Sequence, residues 1–465
     1  MILFLLIIDM NICCINPPLQ DFYCTSLRRQ PIGLLYVIGA LEDAGHRVSF
    51  INGHTPKKHI IPIPSEFGYL EAFFLSDNIK TRFPYKNYCH YGASFQEIAR
   101  QIKNCDSEIY FISCLFTTYY EETSEIITII RKLKKNAIIV TGGYHAALYP
   151  DYYLLQCGVD YVITGEGEKA AVNLIEYLSG TIEISEVPSL CYLENNSIRT
   201  TGKENIKDLD SIPFPARDHL KLRDFRFYTK NGTSIISSRG CPNRCDFCTS
   251  RDLWGNKYRV RDIDALLKEI DLCTQRYNLN LFNFEDDNLM ASREHTQNLL
   301  TGLLDYQKKK KITLDLTAMN GLSLESIDED IILFMSRVGF HELNVSLVSQ
   351  SNDILKKHVR PFDSNKVKEI SLFARSLGMR VRAYFILGLP DQTKHEIKET
   401  IQFMNDIGVM IFPSVYYDVK RPQDEWKTQR SSAFFNESEN LNIHDLLYFF
   451  NQALSINNRL KIRSI

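Results

Sequence analysis

Short apolar runs alternate with helical patterns along most of this chain of 465 residues, and a proline-rich segment divides them into two stretches. The first stretch covers residues 10–180. Strands are predicted there at 10–15, 48–51, 109–113, 137–141 and 161–163, and helices at 31–44, 121–134 and 168–178. Continuous apolar strands separated by helices indicate a parallel, doubly wound sheet buried on both faces. The first stretch is therefore predicted to form a Rossmann-like domain.

The second stretch follows residues 208–215, DLDSIPFP, which are too rich in proline for a helix or a central strand. Six further strands are predicted at 233–238, 281–285, 313–317, 342–347, 380–387 and 409–413. Eight strands close a full barrel, so six predict a partial (βα)6 TIM-type barrel. The predicted α/β chain thus has a doubly wound domain (1–200), a linker (201–228), a partial barrel (229–415) and a small C-terminal helical extension (416–465) with a helix at 443–460.

A group of cysteines directly follows the first predicted barrel strand. Cys241, Cys245 and Cys248 have the spacing Cys-x3-Cys-x2-Cys. Three thiolates on one loop can bind three irons of a four-iron, four-sulfur cluster and leave the fourth iron open to another ligand. The alternative is structural zinc, which normally needs four protein ligands, and the next cysteine, Cys273, lies only on a following helix. Twelve cysteines in the chain are too dilute for a disulfide scaffold, so metal ligation in a reducing compartment, the cytoplasm, is expected.

The overall charge does not indicate a polyanionic partner. The 54 basic and 56 acidic side chains give a formal charge of -2, so neither nucleic acid nor a membrane surface is expected as a partner. The apolar first nine residues lack a basic region and are far shorter than a membrane span. They are expected either to extend the first strand or to precede a translation start at Met10.

The cysteine motif, with Phe247 before the last cysteine, resembles the cluster loop of radical S-adenosylmethionine enzymes. The first stretch is similar to the cobalamin-binding domain found in one group of these enzymes. The similar residues are Asn16-Pro17-Pro18, the helix beginning Pro31-Ile32-Gly33-Leu34, the Ser113-x-Leu115 turn, Gly142-Gly143 and Gly165-Glu166-Gly167-Glu168. The resemblance extends to about residue 413. It implies three cofactors, which are a 4Fe-4S cluster on the three cysteines, S-adenosylmethionine and cobalamin.

The resemblance also implies roles for individual residues. Phe247, Ser346, Arg360 and Gly388 match positions that contact S-adenosylmethionine, and the planar fork of Arg360 suits its carboxylate. The residues implied to contact cobalamin are Ser113, Gly142, Gly143, Tyr144, Gly165 and Glu166. Simpler alternatives remain, namely strand-end turns for the glycines, an interaction with a helix N-terminus for Glu166, and a solvated side chain for Arg360.

The sequence departs from related proteins at two places. No Asp-x-His-x-x-Gly motif, whose histidine ligates cobalt from below, follows the first strand, so no histidine ligand to cobalt is predicted. Related proteins often have Glu-Ser after the fourth barrel strand, where this chain has Ser346-Leu347-Val348-Ser349-Gln350.

The mechanism implied by the resemblance begins with reduction of the cluster and cleavage of S-adenosylmethionine to a 5'-deoxyadenosyl radical. The radical takes hydrogen from the substrate, methylcobalamin donates a methyl group, and a second S-adenosylmethionine restores methylcobalamin. We therefore predict methyl transfer to an unactivated centre of a small molecule or peptide, with flavodoxin or ferredoxin as electron donor. The alternatives are a rearrangement, cyclisation or oxidation with the same cofactors, and a non-catalytic cobalamin or iron-sulfur sensor.

Overall fold

The computed structural model describes residues 10–24, 30–227, 230–360 and 363–463. They form two compact units. The first comprises the described residues up to Pro62, Tyr88–Phe225 and Asp252–Trp254, and the second comprises Ile63–Asn87, Arg226–Arg251 and the described residues from Gly255 onward. This division differs from the predicted boundaries because residues 63–87 join the second unit and residues 201–225 of the predicted linker join the first. The role of the first nine residues lies outside the described part of the chain.

The strands before residue 201 are β1 (Asn11–Asn16), β2 (Leu19–Asp21), β3 (Arg47–Asn52), β4 (Lys58–Ile60), β5 (Cys89–Tyr91), β6 (Ile109–Ser113), β7 (Ile138–Gly142), β8 (Tyr161–Ile163), β9 (Leu190–Glu194) and β10 (Ser197–Thr200). The later strands are β11 (Arg226–Phe227), β12 (Lys230–Ile235), β13 (Ser238–Arg239), β14 (Arg259–Val260), β15 (Leu281–Phe284), β16 (Asp315–Thr317), β17 (Glu342–Val348), β18 (Arg380–Leu387) and β19 (Met410–Val415).

The helices are α1 (Ile32–Asp43), α2 (Glu71–Phe74), α3 (Phe95–Asn104), α4 (Tyr120–Leu133), α5 (Tyr144–Leu148), α6 (Gly167–Leu178), α7 (Ser250–Trp254), α8 (Ile263–Tyr277), α9 (Arg293–Lys310), α10 (Glu329–Val338), α11 (Asn352–Lys357), α12 (Ser364–Ser376), α13 (Lys394–Asp406) and α14 (Ile443–Arg463). No described helix has both the length and the apolar composition of a membrane span.

The first unit is built on a seven-stranded sheet of order β10-β9-β8-β7-β6-β1-β3. Its strands β3, β1, β6, β7 and β8 are parallel, whereas β9 and β10 form an antiparallel hairpin at one edge. The parallel strands have the order 2-1-3-4-5 of a flavodoxin-like doubly wound sheet, which confirms the Rossmann-like prediction. In this topology a ligand binds beyond the carboxyl ends of the strands at the point where the strand order reverses, here between β1 and β6.

The core of the first unit lies between this sheet and its helices. Leu35, Ile38 and Leu41 occupy one face of α1 and are fully buried, as are Ile12 and Cys14 of β1. The apolar spacing of three residues along α1 explains why this face packs on the sheet. A second, antiparallel sheet of order β2-β5-β4, which the sequence analysis did not predict, also lies in this unit.

The second unit contains six parallel strands in two groups, β12-β15-β16 and β17-β18-β19. Two isolated parallel bridges, Leu316 with Phe340 and Leu322 with Val345, connect the groups. The predicted partial barrel of six strands is therefore confirmed. β13 and β14 form a short antiparallel pair outside it.

Residues 63–87 pack against the C-terminal part of the same unit. The Tyr69 hydroxyl donates a 2.8 Å hydrogen bond to the Ala433 carbonyl, and the Phe83 and Phe434 rings lie 5.9 Å apart. Helix α14, predicted from its sequence pattern, packs on β19. The C-terminal segment is thus integrated into the second unit rather than appended to it.

Candidate functional site

The three cysteines lie on a loop that begins directly after β13. β13 pairs with β14, and Gly240 at its end has a φ of +86°. A Cβ atom at Gly240 would lie 2.3 Å from the Lys257 carbonyl oxygen. Glycine is required here because no other residue fits both this left-handed conformation and this close backbone approach.

The thiols of the loop have graded exposure. Cys245 is buried, Cys241 is half-buried and Cys248 is exposed, and the Cys248 amide donates a 3.2 Å hydrogen bond to the Cys245 carbonyl. Burial raises the pKa of both Cys241 and Cys245. Among the described residues, no three His, Cys, Asp or Glu side chains converge on a single metal position. Three thiols on one short loop match the ligand chemistry of a four-iron cluster, in which each thiolate binds its own iron.

Two consecutive acidic residues after β15 contact the start of this loop. Asp286 accepts hydrogen bonds from the Ser237 amide at 3.2 Å and from the Ser237 and Ser238 hydroxyls at 2.8 and 2.5 Å. Asp287 accepts a 2.9 Å hydrogen bond from the Gly240 amide. Neither acidic residue is among the site residues predicted from the sequence.

Arg360 also contacts the loop. Its Nη1 lies 3.8 Å from Cys245 Sγ, and its Nη2 donates a 3.1 Å hydrogen bond to the Ser346 carbonyl. Its Nε is buried without a hydrogen-bond partner among the described residues. The guanidinium favours the Cys245 thiolate and so opposes the effect of burial on that pKa. Arg360 and Ser346 therefore come together beside the cluster loop, where a further acceptor such as a carboxylate would satisfy Nε.

Phe247 packs on an apolar cluster formed by Val348, Ile354, Leu355 and Leu389. Its ring meets His358 edge-on at 6.1 Å, and His358 Nδ1 lies 2.9 Å from Asp246 Oδ1. His358 is not among the predicted site residues, although its place two residues before Arg360 was an available signal. The turn after α11 thus supplies two side chains to the cluster loop.

Gly388 directly follows β18. Its amide donates a 2.7 Å hydrogen bond to Gln392 Oε1, and Gln392 Nε2 donates one of 3.2 Å to the Ile386 carbonyl. These bonds close a turn in which Gly388 has a structural part. Contact of Gly388 with adenine remains a prediction.

In the first unit, Ser113 and Gly142 are paired in register at the ends of β6 and β7. Gly143 follows with a φ of +102°, and a Cβ atom there would lie 2.7 Å from the Cys114 carbonyl oxygen. The neighbouring backbone therefore requires glycine at this position. The next residues after β6 include Leu115 and Phe116, which leave 52% and 37% of their surfaces exposed at the point where the strand order reverses.

The other predicted cobalamin residues lie at the starts of helices. Tyr144 begins α5, and Gly165 and Glu166 precede α6. Glu166 is buried and accepts a 2.5 Å hydrogen bond from the Ile206 amide, while a Cβ atom at Gly165 would lie 2.6 Å from Ser189 Oγ. These contacts give Gly165 and Glu166 structural roles, and their contact with cobalamin remains a prediction.

The side chains of His54 and His145 in the first unit are both buried. His54 Nε2 lies 3.5 Å from Cys24 Sγ, and His145 Nδ1 lies 3.2 Å from Thr117 Oγ1. Burial lowers the pKa of His145 to about 3.

The barrel strands carry polar side chains on one face. This face includes Ser234, Asn283, Thr317, Glu342, Asn344, Arg382 and Tyr384, which the strand registers place side by side. Thr317 Oγ1 donates a 2.9 Å hydrogen bond to Glu342 Oε1 across the two strand groups. At the carboxyl edge, Ser234 Oγ and Asn283 Nδ2 donate to Glu285 Oε1 at 3.3 and 2.5 Å. Closed TIM barrels are filled mainly by Val, Ile and Leu, so this polar face is unusual.

Family models match both stretches of the chain. Residues 235–404 match the Radical SAM superfamily, and residues 85–175 match the B12 binding domain. The chain is a radical S-adenosylmethionine enzyme with a B12-binding domain. The first match contains every residue predicted to bind the cluster or S-adenosylmethionine, and the second contains every residue predicted to bind cobalamin. The enzyme therefore uses a 4Fe-4S cluster, S-adenosylmethionine and cobalamin, as predicted.

Individual relatives agree with this family. The enzyme is 25% identical over 392 residues to the cytidylyl-2-hydroxyethylphosphonate methyltransferase of Streptomyces wedmorensis, covering 77% of this chain and 69% of the relative. It is 24% identical over 361 residues to the anaerobic magnesium-protoporphyrin IX monomethyl ester cyclase of Synechocystis sp., covering 76% and 63%. Its fold matches the methyltransferase TsrM of Kitasatospora setae, solved with cobalamin and a [4Fe-4S] cluster, with a TM-score of 0.65 and 16% identity over 88% of this chain and 72% of TsrM.

Proposed function

We propose that the enzyme methylates an unactivated centre of a small molecule or peptide. The observation that carries this proposal is the presence of a B12-binding domain and a radical S-adenosylmethionine domain in one chain. When bound, the cluster and S-adenosylmethionine supply a 5'-deoxyadenosyl radical, and cobalamin supplies the methyl group. The similarity to a named methyltransferase over 77% of the chain supports methyl transfer.

The chain's own residues bind and position these groups. Cys241, Cys245 and Cys248 are proposed as the cluster ligands. Arg360 is proposed to hold the carboxylate of S-adenosylmethionine, because its buried Nε lacks a partner among the described residues and its Nη1 lies 3.8 Å from Cys245 Sγ. Phe247, packed on its apolar cluster, is proposed to support the adenine.

In the first unit, the ends of β6 and β7 are proposed to bind cobalamin through Ser113, Gly142, Gly143 and Tyr144, with a further contact at the start of α6 from Gly165 and Glu166. The exposed Leu115 and Phe116 support this assignment because they lie where a doubly wound sheet binds its ligand. The absence of a histidine at the equivalent of Asp-x-His-x-x-Gly supports a cobalt without a protein nitrogen ligand.

The polar face of the barrel strands supports a substrate that forms hydrogen bonds. Glu285, with Ser234 and Asn283 as donors, lies at the same carboxyl edge as the cluster loop. TsrM has been solved with tryptophan as its substrate, which is a small molecule. We propose that the substrate of this enzyme binds against this polar face, with flavodoxin or ferredoxin as the electron donor. We also propose a reducing, cytoplasmic location, because twelve cysteines in 465 residues are too dilute for a disulfide scaffold.

The proposal is tested by product analysis. Reduced, reconstituted enzyme should convert S-adenosylmethionine to 5'-deoxyadenosine, and Cys245→Ala should abolish both cluster and cleavage. A protein that binds the cofactors but forms no 5'-deoxyadenosine would be a sensor. With its substrate, the enzyme should release 5'-deoxyadenosine and S-adenosylhomocysteine in nearly equal amounts, because each turnover uses one S-adenosylmethionine for the radical and one to restore the methyl group.

The second candidate is a cyclisation, rearrangement or oxidation without methyl transfer. The similarity to a named cyclase over 76% of the chain favours it as the alternative. Substrate turnover with 5'-deoxyadenosine but without S-adenosylhomocysteine would support this reaction and refute methyl transfer.

A further inference from the structure

Consecutive residues after β15 form hydrogen bonds with successive residues of the segment before the first cysteine. Asp286 binds the Ser237 amide and the hydroxyls of Ser237 and Ser238, and Asp287 binds the Gly240 amide. The contacts therefore extend along the backbone up to the residue before Cys241. Two carboxylates that accept backbone hydrogen bonds in this order hold a segment in one conformation.

Asn288 continues the same series to the first cysteine. Its Nδ2 lies 3.8 Å from Cys241 Sγ, and this hydrogen bond favours the Cys241 thiolate. Asn288 is 4% exposed, and its Oδ1 has no hydrogen-bond partner among the described residues. Hydrogen bonds to cluster sulfurs and nearby charge are two of the factors that set the reduction potential of an iron-sulfur cluster.

Residues on the opposite side also contact the backbone before Cys241. The Lys257 carbonyl lies against Gly240, and the Arg261 amide donates a 2.9 Å hydrogen bond to the Ser237 carbonyl. The backbone before Cys241 thus lies between the segment containing β14 and the acidic residues after β15. A substitution of one acidic residue removes only its own hydrogen bonds and not the contacts from the segment containing β14. The effect of each acidic residue can therefore be tested without removing the loop.

We propose that Asp286, Asp287 and Asn288 are positioning residues for the cluster. Asp286 and Asp287 hold the backbone that presents Cys241, and Asn288 contacts its sulfur. The negative charge of Asp287, one residue from the ligand through Gly240, also keeps the cluster's reduction potential low, because added negative charge disfavours an added electron. The inference rests on the proposed assignment of Cys241 as a cluster ligand.

Two variants at one position separate geometry from charge. Asp287→Asn keeps an oxygen that can accept from the Gly240 amide but removes the charge, so the cluster should load normally and its reduction potential should shift to a more positive value. Asp287→Ala removes the acceptor as well, so iron retention should fall and the electron paramagnetic resonance signal of the reduced cluster should broaden or shift. Rescue of iron content by asparagine but not alanine is the signature of positioning through this hydrogen bond.

Full-length protein, reconstituted with iron and sulfide under anaerobic conditions, is used throughout. Asp328→Ala is the matched control, because Asp328 caps α10 through the Ile331 amide at 3.0 Å in the same unit. Its cluster should have the parent signal and potential. If Asp287→Ala fails to fold, the potential of Asp287→Asn decides.

An unchanged potential in Asp287→Asn, or parent iron content and signal in a folded Asp287→Ala, would overturn the inference. A parent protein that binds no four-iron cluster would instead refute the proposed function, so the two failures are distinguishable.

Discussion

Glu269 and Arg261 form an ion pair in the interior of the second unit, and removing one charge should destabilise that unit. Arg261 Nη1 lies 2.5 Å from Glu269 Oε2, and the two side chains are only 5% and 0% exposed. Arg261 Nη1 also donates a 3.2 Å hydrogen bond to the Ile236 carbonyl beside the cluster loop. Glu269→Gln removes the carboxylate charge that faces this buried guanidinium.

Breaking a buried pair in this way typically costs about 3–5 kcal/mol. The free energy of unfolding of the second unit should fall by about that amount, and its melting temperature by on the order of 10 °C for a unit of this size. Thermal unfolding of the apo-protein, followed by circular dichroism under reducing conditions, measures this change. The exposed pair of Arg293 and Asp328, at 46% and 44% exposure, supplies the control. Asp328→Asn should cost at most about 1 kcal/mol.

A double variant tests the reason for the effect. Arg261→Met combined with Glu269→Met removes both charges and keeps apolar volume, so it should recover much of the lost stability. A loss in Glu269→Gln no larger than in the exposed control would refute the reasoning. A double variant less stable than the single one would also refute it, since the uncompensated charge could then not be the cause.

Two further predictions concern buried titratable groups. Burial raises the pKa of Asp286 to about 6, above its ordinary value of 3.8, so the stability that its protonated form contributes is present below about pH 4 and is lost as the pH rises through 6. Asp286→Asn has no titrating group at this position and so removes this loss. Between these pH values, the free energy of unfolding of the variant, measured by urea unfolding, should rise by up to about 3 kcal/mol relative to the parent. A difference between the two proteins that is independent of pH would contradict this prediction. The electron paramagnetic resonance spectrum of cob(II)alamin bound to the enzyme should show no nitrogen splitting from a protein histidine. The reason is that His54 and His145 are buried beside Cys24 and Thr117, respectively. A nitrogen splitting that disappears in His145→Ala would contradict this prediction.

Local sequence patterns were sufficient to predict the central architecture. Predicted strands 109–113, 161–163 and 380–387 have the same bounds in the structure, and the six barrel strands were all found near their predicted places. These segments are short runs rich in apolar residues that lie in parallel sheets, and most of their residues are buried, so their pattern is strong. The cluster loop was predictable for a related reason, because its three cysteines are adjacent in sequence and need no distant partner.

The small antiparallel sheet of β2, β4 and β5 and the membership of residues 63–87 were not predicted. Both depend on contacts between segments far apart in sequence, such as the hydrogen bond from Tyr69 to Ala433. Short, partly exposed elements have weak periodicity, so their own residues contain little information about their partners.

The surroundings of the three cysteines likewise combine features that local sequence determines with features that depend on distant contacts. The sequence alone determined that Cys241, Cys245 and Cys248 share one loop after the first barrel strand, because spacing and strand position are local properties. Only the tertiary structure decided that Asp286 and Asp287 bind the backbone before that loop, and that Arg360 reaches Cys245. Those residues are 47 to 115 positions from the groups they contact. They meet because the carboxyl ends of parallel strands lie at one edge of a barrel, a juxtaposition that exists only once the strands have paired.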